Sequence, residues 1–463
     1  VIFKINFYGN VLASFISADG HIDRQVMKNL FSFVWLSLLC LDCFQHDQNK
    51  IRFTHIYDAL GGPTGKLSMD WVNARVKEFR ELHPELKVEL EQAKWDQIDT
   101  KSMADYRAGI AHDVVITAPQ FLPKHFVVGD LLDLKPLLNW SEDQLGEFSW
   151  SPVWQPCIQQ GKWLGIPMGA HTRVCIYWKD QFAEVGLDPE RPPRTLEELL
   201  EYAQKLTRDR NGDGKIDVWG LGMYFGPSRA TIEIAFAPVI WHFGGELWDA
   251  KTKQAVFASP AGVKAAQFLS DLLNKHQVTP RWAVSGTYDD AVMRAFFDGK
   301  IAIAWGWGSY WIQPLEEQGL VSGCYPPTPH GKMIKIGMFV TPTIPQAQFT
   351  NAWTISIHAL SQRPVESAQF LERFVEPHAL CSFPDAGLPA VLSLWQRPEY
   401  QTEFYQIWFE AARKGRSMPA TAHYEELSNT VAAALQEILI KNAPVESTLL
   451  KFQRSYNGRY AGE

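Results

Sequence analysis

Ile51-Arg-Phe-Thr-His-Ile-Tyr57 alternates apolar and polar residues, the period-two pattern of a strand with one buried face. Pro63-Thr64 follows and predicts a helix start, after which Leu67, Trp71, Val72, Val76, Phe79 and Leu82 recur along one helical face. Lys87 to Leu90 predicts a second short strand and Asp113-Val-Val-Ile-Thr117 a third. Further helices are expected from Arg194-Thr195 (apolar face Leu196, Leu199, Leu200, Ala203, Leu206), from Ser259-Pro260 and near Thr287. Thr195 and Ser259 are N-cap candidates, because a side-chain oxygen there can accept an orphan backbone N–H. Strands alternating with amphipathic helices specify α/β layers with largely parallel sheets.

The chain's 463 residues can bury a sizeable core in two lobes. A formal net charge of −7 without any Lys/Arg cluster argues against a nucleic-acid partner, since phosphate binding needs a concentrated basic surface. Cys40 and Cys43 form a C-x-x-C pair, but no second pair follows at zinc spacing. Cys157, Cys175, Cys324 and Cys381 read as buried small hydrophobes, among which one disulfide is conceivable.

Residues 1–26 carry no fold pattern and read as an upstream extension. Met27-Lys28-Asn29 and the apolar run Leu30 to Leu41 match a secretory leader, too short for a spanning helix, which needs about 20 apolar residues. The expected leader covers 27–43. Cys40 and Cys43 are candidates for lipid attachment after cleavage, although Leu38-Leu39 and Leu41-Asp42 stand before them instead of the usual small residues.

From about Ile51 to about Gln453 the chain resembles the ABC-transporter solute-binding proteins, the family that includes maltose-binding protein. The opening strand with Gly61-Gly62-Pro63-Thr64, and the helix ending Glu81-Leu-His-Pro84, are similar to that family's start. Ala108-Gly-Ile-Ala-His-Asp-Val-Val-Ile116 resembles its G-x-x-P-D-V strand, with His112 replacing the proline. Leu164-Gly-Ile-Pro-Met168 through Cys175-Ile-Tyr-Trp178 resembles the first crossover between lobes. Phe297-Asp-Gly-Lys-Ile-Ala302 with Gly308-Ser-Tyr310, then Gly387-Leu-Pro389, then Met418-Pro419 follow in the family's order. The resemblance implies a two-lobed, class II periplasmic-binding-protein-like α/β fold with a hinge of crossing strands and an interlobe cleft. Lobe 1 would take 50–170 and 340–376, and lobe 2 would take 171–339 and 377–460. The chain would cross near 168–176, 337–344 and 376–390. It also implies capture of a small-molecule solute by hinge closure and delivery to ABC permease transmembrane subunits. A monomer outside the cytoplasm, in the periplasm or at the cell surface, is expected, membrane-tethered if Cys40 or Cys43 is acylated.

Asp209-Arg-Asn211-Gly-Asp213-Gly214-Lys215-Ile-Asp217 matches D-x-[DN]-x-[DN]-G, in which alternate oxygens wrap a cation. Lys215 would offer its carbonyl and Asp217 a carboxylate, but Gly220 stands where an EF-hand has its bidentate Glu. No cofactor is required by this reading; a structural Ca2+ is the candidate, and a surface loop rich in Asx turns is the alternative.

Sugars offer hydroxyls to polar groups and C–H faces to aromatic rings. Trp241, Trp305, Trp307, Tyr310 and Trp353 are the aromatic candidates where the resemblance puts the cleft, with core filling as the alternative for any single one. Trp305-Gly-Trp-Gly-Ser-Tyr-Trp311 is too glycine-rich for a packed helix, and its glycines would let the backbone approach a ligand. Asp58 and Gly62 to Thr64 stand at an expected helix N-terminus, where free N–H groups can meet ligand oxygens. Motif matching adds Gln120, His171 and Arg173, the last two keeping open an anionic ligand such as a uronate, sugar phosphate or polyol phosphate. Gly61 to Lys66 lacks P-loop spacing, and no G-x-S-x-G, H-E-x-x-H or G-x-G-x-x-G occurs. A binding protein and not an enzyme is therefore expected. The rival from another class is a secreted carbohydrate-active enzyme, which needs only two placed carboxylates.

Overall fold

The computed structural model describes residues 49–57, 65–150, 152–287, 289–343, 348–384, 388–460 and 462. Met27, the expected leader, Cys40 and Cys43 lie outside these residues, as do Asp58, Gly62 and Thr64.

Two sheets organise the compact unit that runs from Ile51 onward. The first contains β1 (Lys50–His55), β2 (Lys87–Gln92), β3 (Val114–Thr117), β4 (Ile166–Pro167) and, from far along the chain, β9 (Thr354–Ile357), in the order β2-β1-β3-β9-β4. The second contains β5 (Arg173–Trp178), β6 (Trp219–Gly222), β7 (Ile301–Gly308) and β8 (Ile336–Phe339), in the order β8-β5-β7-β6. The sheets are more mixed than the sequence pattern suggested. β1 runs parallel to β3 and β6 to β7, but β9 is antiparallel to both neighbours, and β5 to β7 and β8. The physical reason is connectivity: strands that carry the chain between sheets enter from the other end, and short crossings cannot reverse them.

These crossings lie at 168–172, between β4 and β5, and, among the described residues, at 340–343 and 348–353, between β8 and β9. A pair of backbone hydrogen bonds ties them together: His171 N–H donates to the Asn351 carbonyl at 2.8 Å, and Asn351 N–H to the His171 carbonyl at 2.7 Å. Just past the boundary expected at 376/377, Trp71 Nε1 donates to the Ala379 carbonyl at 3.0 Å, and Phe383 stacks on Trp71 at 4.5 Å.

Helix α1 (Gly65–Leu82) buries Trp71, Val72 and Phe79 as expected, but Ser68 and Arg75 complete its stripe, and Leu82 in the last turn is 60% exposed. Phe79 meets Phe370 of helix α5 (Pro364–Val375), and Phe370 and Phe374 meet Phe53 of β1 at ring distances of 5.4 and 5.2 Å. Each such ring contributes about 1.5–3 kcal/mol by leaving water. Helices α3 (Leu196–Leu206) and α4 (Pro260–Ser270) begin at the foreseen caps: Thr195 Oγ1 accepts from Glu198 N–H at 3.2 Å, and Ser259 Oγ from Gly262 N–H at 3.3 Å. α2 (Ile98–Arg107) lies between β2 and β3, and α6 (Glu403–Lys414), α7 (Tyr424–Lys441) and α8 (Val445–Tyr460) follow α5. Cys157, Cys175, Cys324 and Cys381 are all free thiols, so the conceivable disulfide does not form among them.

Candidate functional site

The face between the two sheets is built from four segments. The 3-10 turn Pro119–Phe121, directly after β3, carries Gln120. The π-helical turn Thr231–Phe236 carries Glu233, preceded by Arg229. β5 begins with Arg173, and α7 begins with Tyr424. Wide π turns recur where a helix gives up regularity for function.

Gln120 and Glu233 meet across the gap between sheets. Gln120 Nε2 donates to Glu233 Oε1 at 3.3 Å, and the Tyr424 hydroxyl donates to the same oxygen at 2.7 Å. Oε2 has no hydrogen-bond partner among the described residues. Burial pushes the Glu233 carboxyl up from its ordinary pKa, while Arg229, Tyr424, Arg173 and Gln120 pull it back down. Burial and the neighbouring Glu233 charge drive the Tyr424 phenol well above its usual range, so it remains a donor.

Arg173 and Arg229 are held by rings. The Arg173 guanidinium lies 5.7 Å from the Tyr310 ring and 5.9 Å from Phe349, and Nη1 donates to the Thr172 carbonyl at 3.1 Å. That of Arg229 lies 4.8 Å from Trp95 and 5.3 Å from Phe121, both on the first lobe. The Nε of each is buried and has no hydrogen-bond partner among the described residues. Beside them Pro119, Gln120, Phe349, Thr350, Asn351 and Met418 line a crevice too narrow to admit a water-sized sphere. The Gln120–Glu233 bond and the stacking of Arg229 on Trp95 and Phe121 join the two sides of this face.

The family model for bacterial extracellular solute-binding proteins matches residues 65–377. This chain belongs to that family. Among curated relatives, a Brucella abortus protein named as a binding protein is 24% identical over 269 residues, covering 58% of this chain and 60% of the relative. The sn-glycerol-3-phosphate-binding periplasmic protein of Pectobacterium atrosepticum is 26% identical, covering 50% of this chain and 51% of its own length. The chain thus spans less than two thirds of the length of these relatives. Among solved structures, an ABC transporter solute-binding protein from Thermotoga lettingae, bound with alpha-D-tagatose, superposes with a TM-score of 0.73 at 21% identity, covering 88% of this chain and 98% of the other. A maltose-bound T. maritima protein gives 0.72 at 19% identity, covering 89% and 99%. These likenesses fix the fold as the two-lobed α/β architecture.

In this solute-binding protein the expected contacts separate into two groups. Gln120, Arg173 and Tyr310 come together at the closed cleft. His171 stands in the crossing, but it supplies no positive charge: burial, with Arg173 adding, lowers its pKa to about 3. Trp241 is buried beneath the Arg416 guanidinium, 4.5 Å from its ring, and Trp353 is buried beside Asn351, its carbonyl accepting from Met168 N–H at 2.8 Å. Trp305 and Trp307 correct the expectation: their rings belong to the core. Trp305 Nε1 donates to the Ile234 carbonyl at 2.7 Å, and Trp307 packs on Phe296, Phe297 and Trp311. The glycines between them serve the strand instead. Gly306 adopts φ of 78°, and the β5–β7 register shifts between Ala304 and Trp307, a bulge that glycine accommodates.

Glu233, Arg229 and Tyr424 were not foreseen. One signal was present: Glu233 is the lone charge in Thr231-Ile-Glu-Ile-Ala-Phe-Ala-Pro-Val-Ile240.

The Asp209–Asp217 loop closes on its own backbone. Asp209 accepts from Asn211, Gly212 and Gly214 N–H groups, Asn211 from Asp213, Asp213 from Lys215, and Asp217 from Arg210 and Asn211. Among the described residues no three His, Cys, Asp or Glu side chains converge to hold a metal ion.

Proposed function

We propose that the chain is the extracytoplasmic solute-binding component of an ABC importer, capturing a sugar or oligosaccharide between its lobes and presenting it to the membrane permease. The observation that carries this reading is the Gln120–Glu233–Tyr424 contact across the cleft, flanked by two guanidinium groups with buried, unpaired Nε atoms. Buried polar atoms without partners are costly, so a site that keeps several at a lobe interface suits a ligand that supplies them. Hinge closure then follows from differential affinity, because the solute bonds both lobes only when they are shut.

The tagatose- and maltose-bound neighbours support a carbohydrate ligand. A second reading, an anionic solute, is favoured by the two arginines and accords with relatives named for glycerol 3-phosphate. Capture without turnover is proposed on the strength of family membership. Export to the periplasm or cell surface, a cleaved leader ending near Cys40 or Cys43 and lipid on one of them belong to the same reading. Among the described residues no helix is long and apolar enough to cross a membrane. For the Asp209–Asp217 loop we propose that its own Asx bonds suffice and that no cation is required.

Thermal-shift screening of the full chain against mono- and oligosaccharides, with the ligand recovered afterwards, tests the reading. A rise in melting temperature with the saccharide recovered intact is expected. Release of shortened sugars would replace capture with a carbohydrate-active enzyme, and a folded chain answering no saccharide would end the carbohydrate assignment. Labelling of the exported protein with a palmitate analogue separates an anchored form from a leader cleaved without lipid.

A further inference from the structure

Side chains join the two lobes along one edge of the cleft. On the first lobe this edge is Trp95, after β2, and the stretch from Gln120 to Lys124, after β3. On the second it is Arg229 and Glu233, after β6, with Tyr424 to Glu426 in the first turn of α7. α7 is fastened to the second lobe, where Asn274 Nδ2 donates to the Leu439 carbonyl at 3.1 Å. The Arg229 guanidinium lies over the Trp95 and Phe121 rings, at 4.8 and 5.3 Å. Gln120 Nε2 donates to Glu233 Oε1 at 3.3 Å, and the Phe121 ring meets Tyr424 edge-on at 5.7 Å. Lys124 Nζ lies 3.4 and 3.5 Å from the Glu425 and Glu426 carboxylates.

These contacts differ in what holds them. The Lys124 pairs reach water, with Glu425 42% exposed at the side chain, so salt screens them. A guanidinium over aromatic rings is held partly by dispersion, which salt does not screen. Trp95 remains 51% exposed with Arg229 over it, so parting the lobes would uncover still more of the indole. A hinge opening about the crossings is a rigid-body motion, so it breaks the whole set together.

We propose that Arg229, seated on Trp95 and Phe121, is a latch that draws the lobes together before any solute arrives. This rests on the reading of the space between the sheets as the capture cleft. The solute-free chain then populates the joined arrangement, and a solute gains affinity by finding that state partly preformed. Arg229 is in this respect a positioning residue: it sets the spacing of the lobes, and through that spacing the approach of Gln120 to Glu233.

Small-angle X-ray scattering of the full chain, unfolded and refolded to strip bound solute, reads lobe spacing without the solute's identity. Arg229→Gln and Trp95→Leu should each give a larger radius of gyration than wild type, with circular dichroism confirming that they are folded. Arg229→Lys, which keeps a cation over the rings, should stay near wild type. The double variant Arg229→Gln/Trp95→Leu should open no further than either single one, because both remove the same contact. In 0.5 M NaCl the wild type should stay compact, since the ring contact outlasts the screened Lys124 pairs. Amide exchange at Gln120, Phe121 and Thr231–Phe236 should quicken by at least about threefold in the two single variants. Equal radii and equal exchange in wild type, Arg229→Gln and Trp95→Leu overturn the latch while leaving solute capture standing. An Arg229→Lys chain as open as Arg229→Gln, or a wild type that opens in salt, overturns the guanidinium–ring contact as its basis. Variants that open as expected in a chain that answers no solute keep the latch and end the capture reading.

Discussion

Two clusters of charged groups flank the segment Ala118–Gln120, and they are finished to different degrees. Asp99, His125 and Asp130 form the first. His125 Nδ1 lies 2.9 and 3.0 Å from the Asp130 carboxylate, Nε2 lies 3.1 Å from Asp99 Oδ1, and all three side chains are almost inaccessible. Burial alone would lower the His125 pKa, but Asp130 and Asp99 override it and raise it to about 9. Asp99 also accepts from Ala118 N–H at 3.3 Å, so this cluster holds the backbone just before Gln120. The second cluster, Arg173, Arg229, Glu233, Gln120 and Tyr424, has two buried guanidinium Nε donors without partners among the described residues. The difference separates scaffold from site: a satisfied network fixes geometry, and an unsatisfied one at a lobe interface receives a solute.

The largest effect that would sharpen this contrast is on stability. Asp130→Ala leaves a buried imidazolium with half its partners and should cost about 3–5 kcal/mol in chemical denaturation. A loss under about 1 kcal/mol, the range of exposed pairs, would break the scaffold assignment.

Next comes the pH dependence of unfolding. His125 holds its proton more tightly folded, with a value of about 9, than unfolded, near 6.5. Its stabilisation is complete below 6.5 and is lost as the pH rises through 9, about 3 kcal/mol in all. His55, His171 and His358 are pushed down by burial to about 4, 3 and 4. There the unfolded chain takes up protons first, so stability also falls as the pH drops below 6.5. His112 and His242 are lowered by burial too, so five histidines act on the acid limb and one on the alkaline limb, and the acid limb should be the steeper. A flat profile between pH 6.5 and 9 would contradict a charged His125.

Gln120→Ala should cost about 1 kcal/mol of stability, the worth of one hydrogen bond, yet weaken solute binding by at least about tenfold. Comparable losses in both would place Gln120 with the scaffold. The smallest effect concerns the Asp209–Asp217 loop: EDTA and added Ca2+ should leave the melting temperature unchanged, whereas a clear rise with Ca2+ would show that the loop takes the cation after all.

The fold was legible in the sequence because its signals are local. The alternation in Ile51–Tyr57, the caps Thr195 and Ser259 and the run Asp113–Thr117 each report on a few neighbouring residues. Strand direction was less legible, since β9 joins β3 across more than two hundred residues. The site was legible in part. Gln120 and Arg173 were found by motif order, but Glu233 reaches Gln120 across 113 residues and Tyr424 across 191. Trp305 and Trp307 misled because glycine spacing signals close backbone approach without saying whether a ligand or a neighbouring strand approaches.

Hydrogen–deuterium exchange of the full chain, with and without a saturating saccharide, tests most directly whether the unsatisfied cluster is the capture site. The amides of Gln120 and Phe121, of Thr231–Phe236 and of the first turn of α7 should slow together on binding, while those around His125 stay as they were. Protection elsewhere, with these three segments unchanged, would contradict the account.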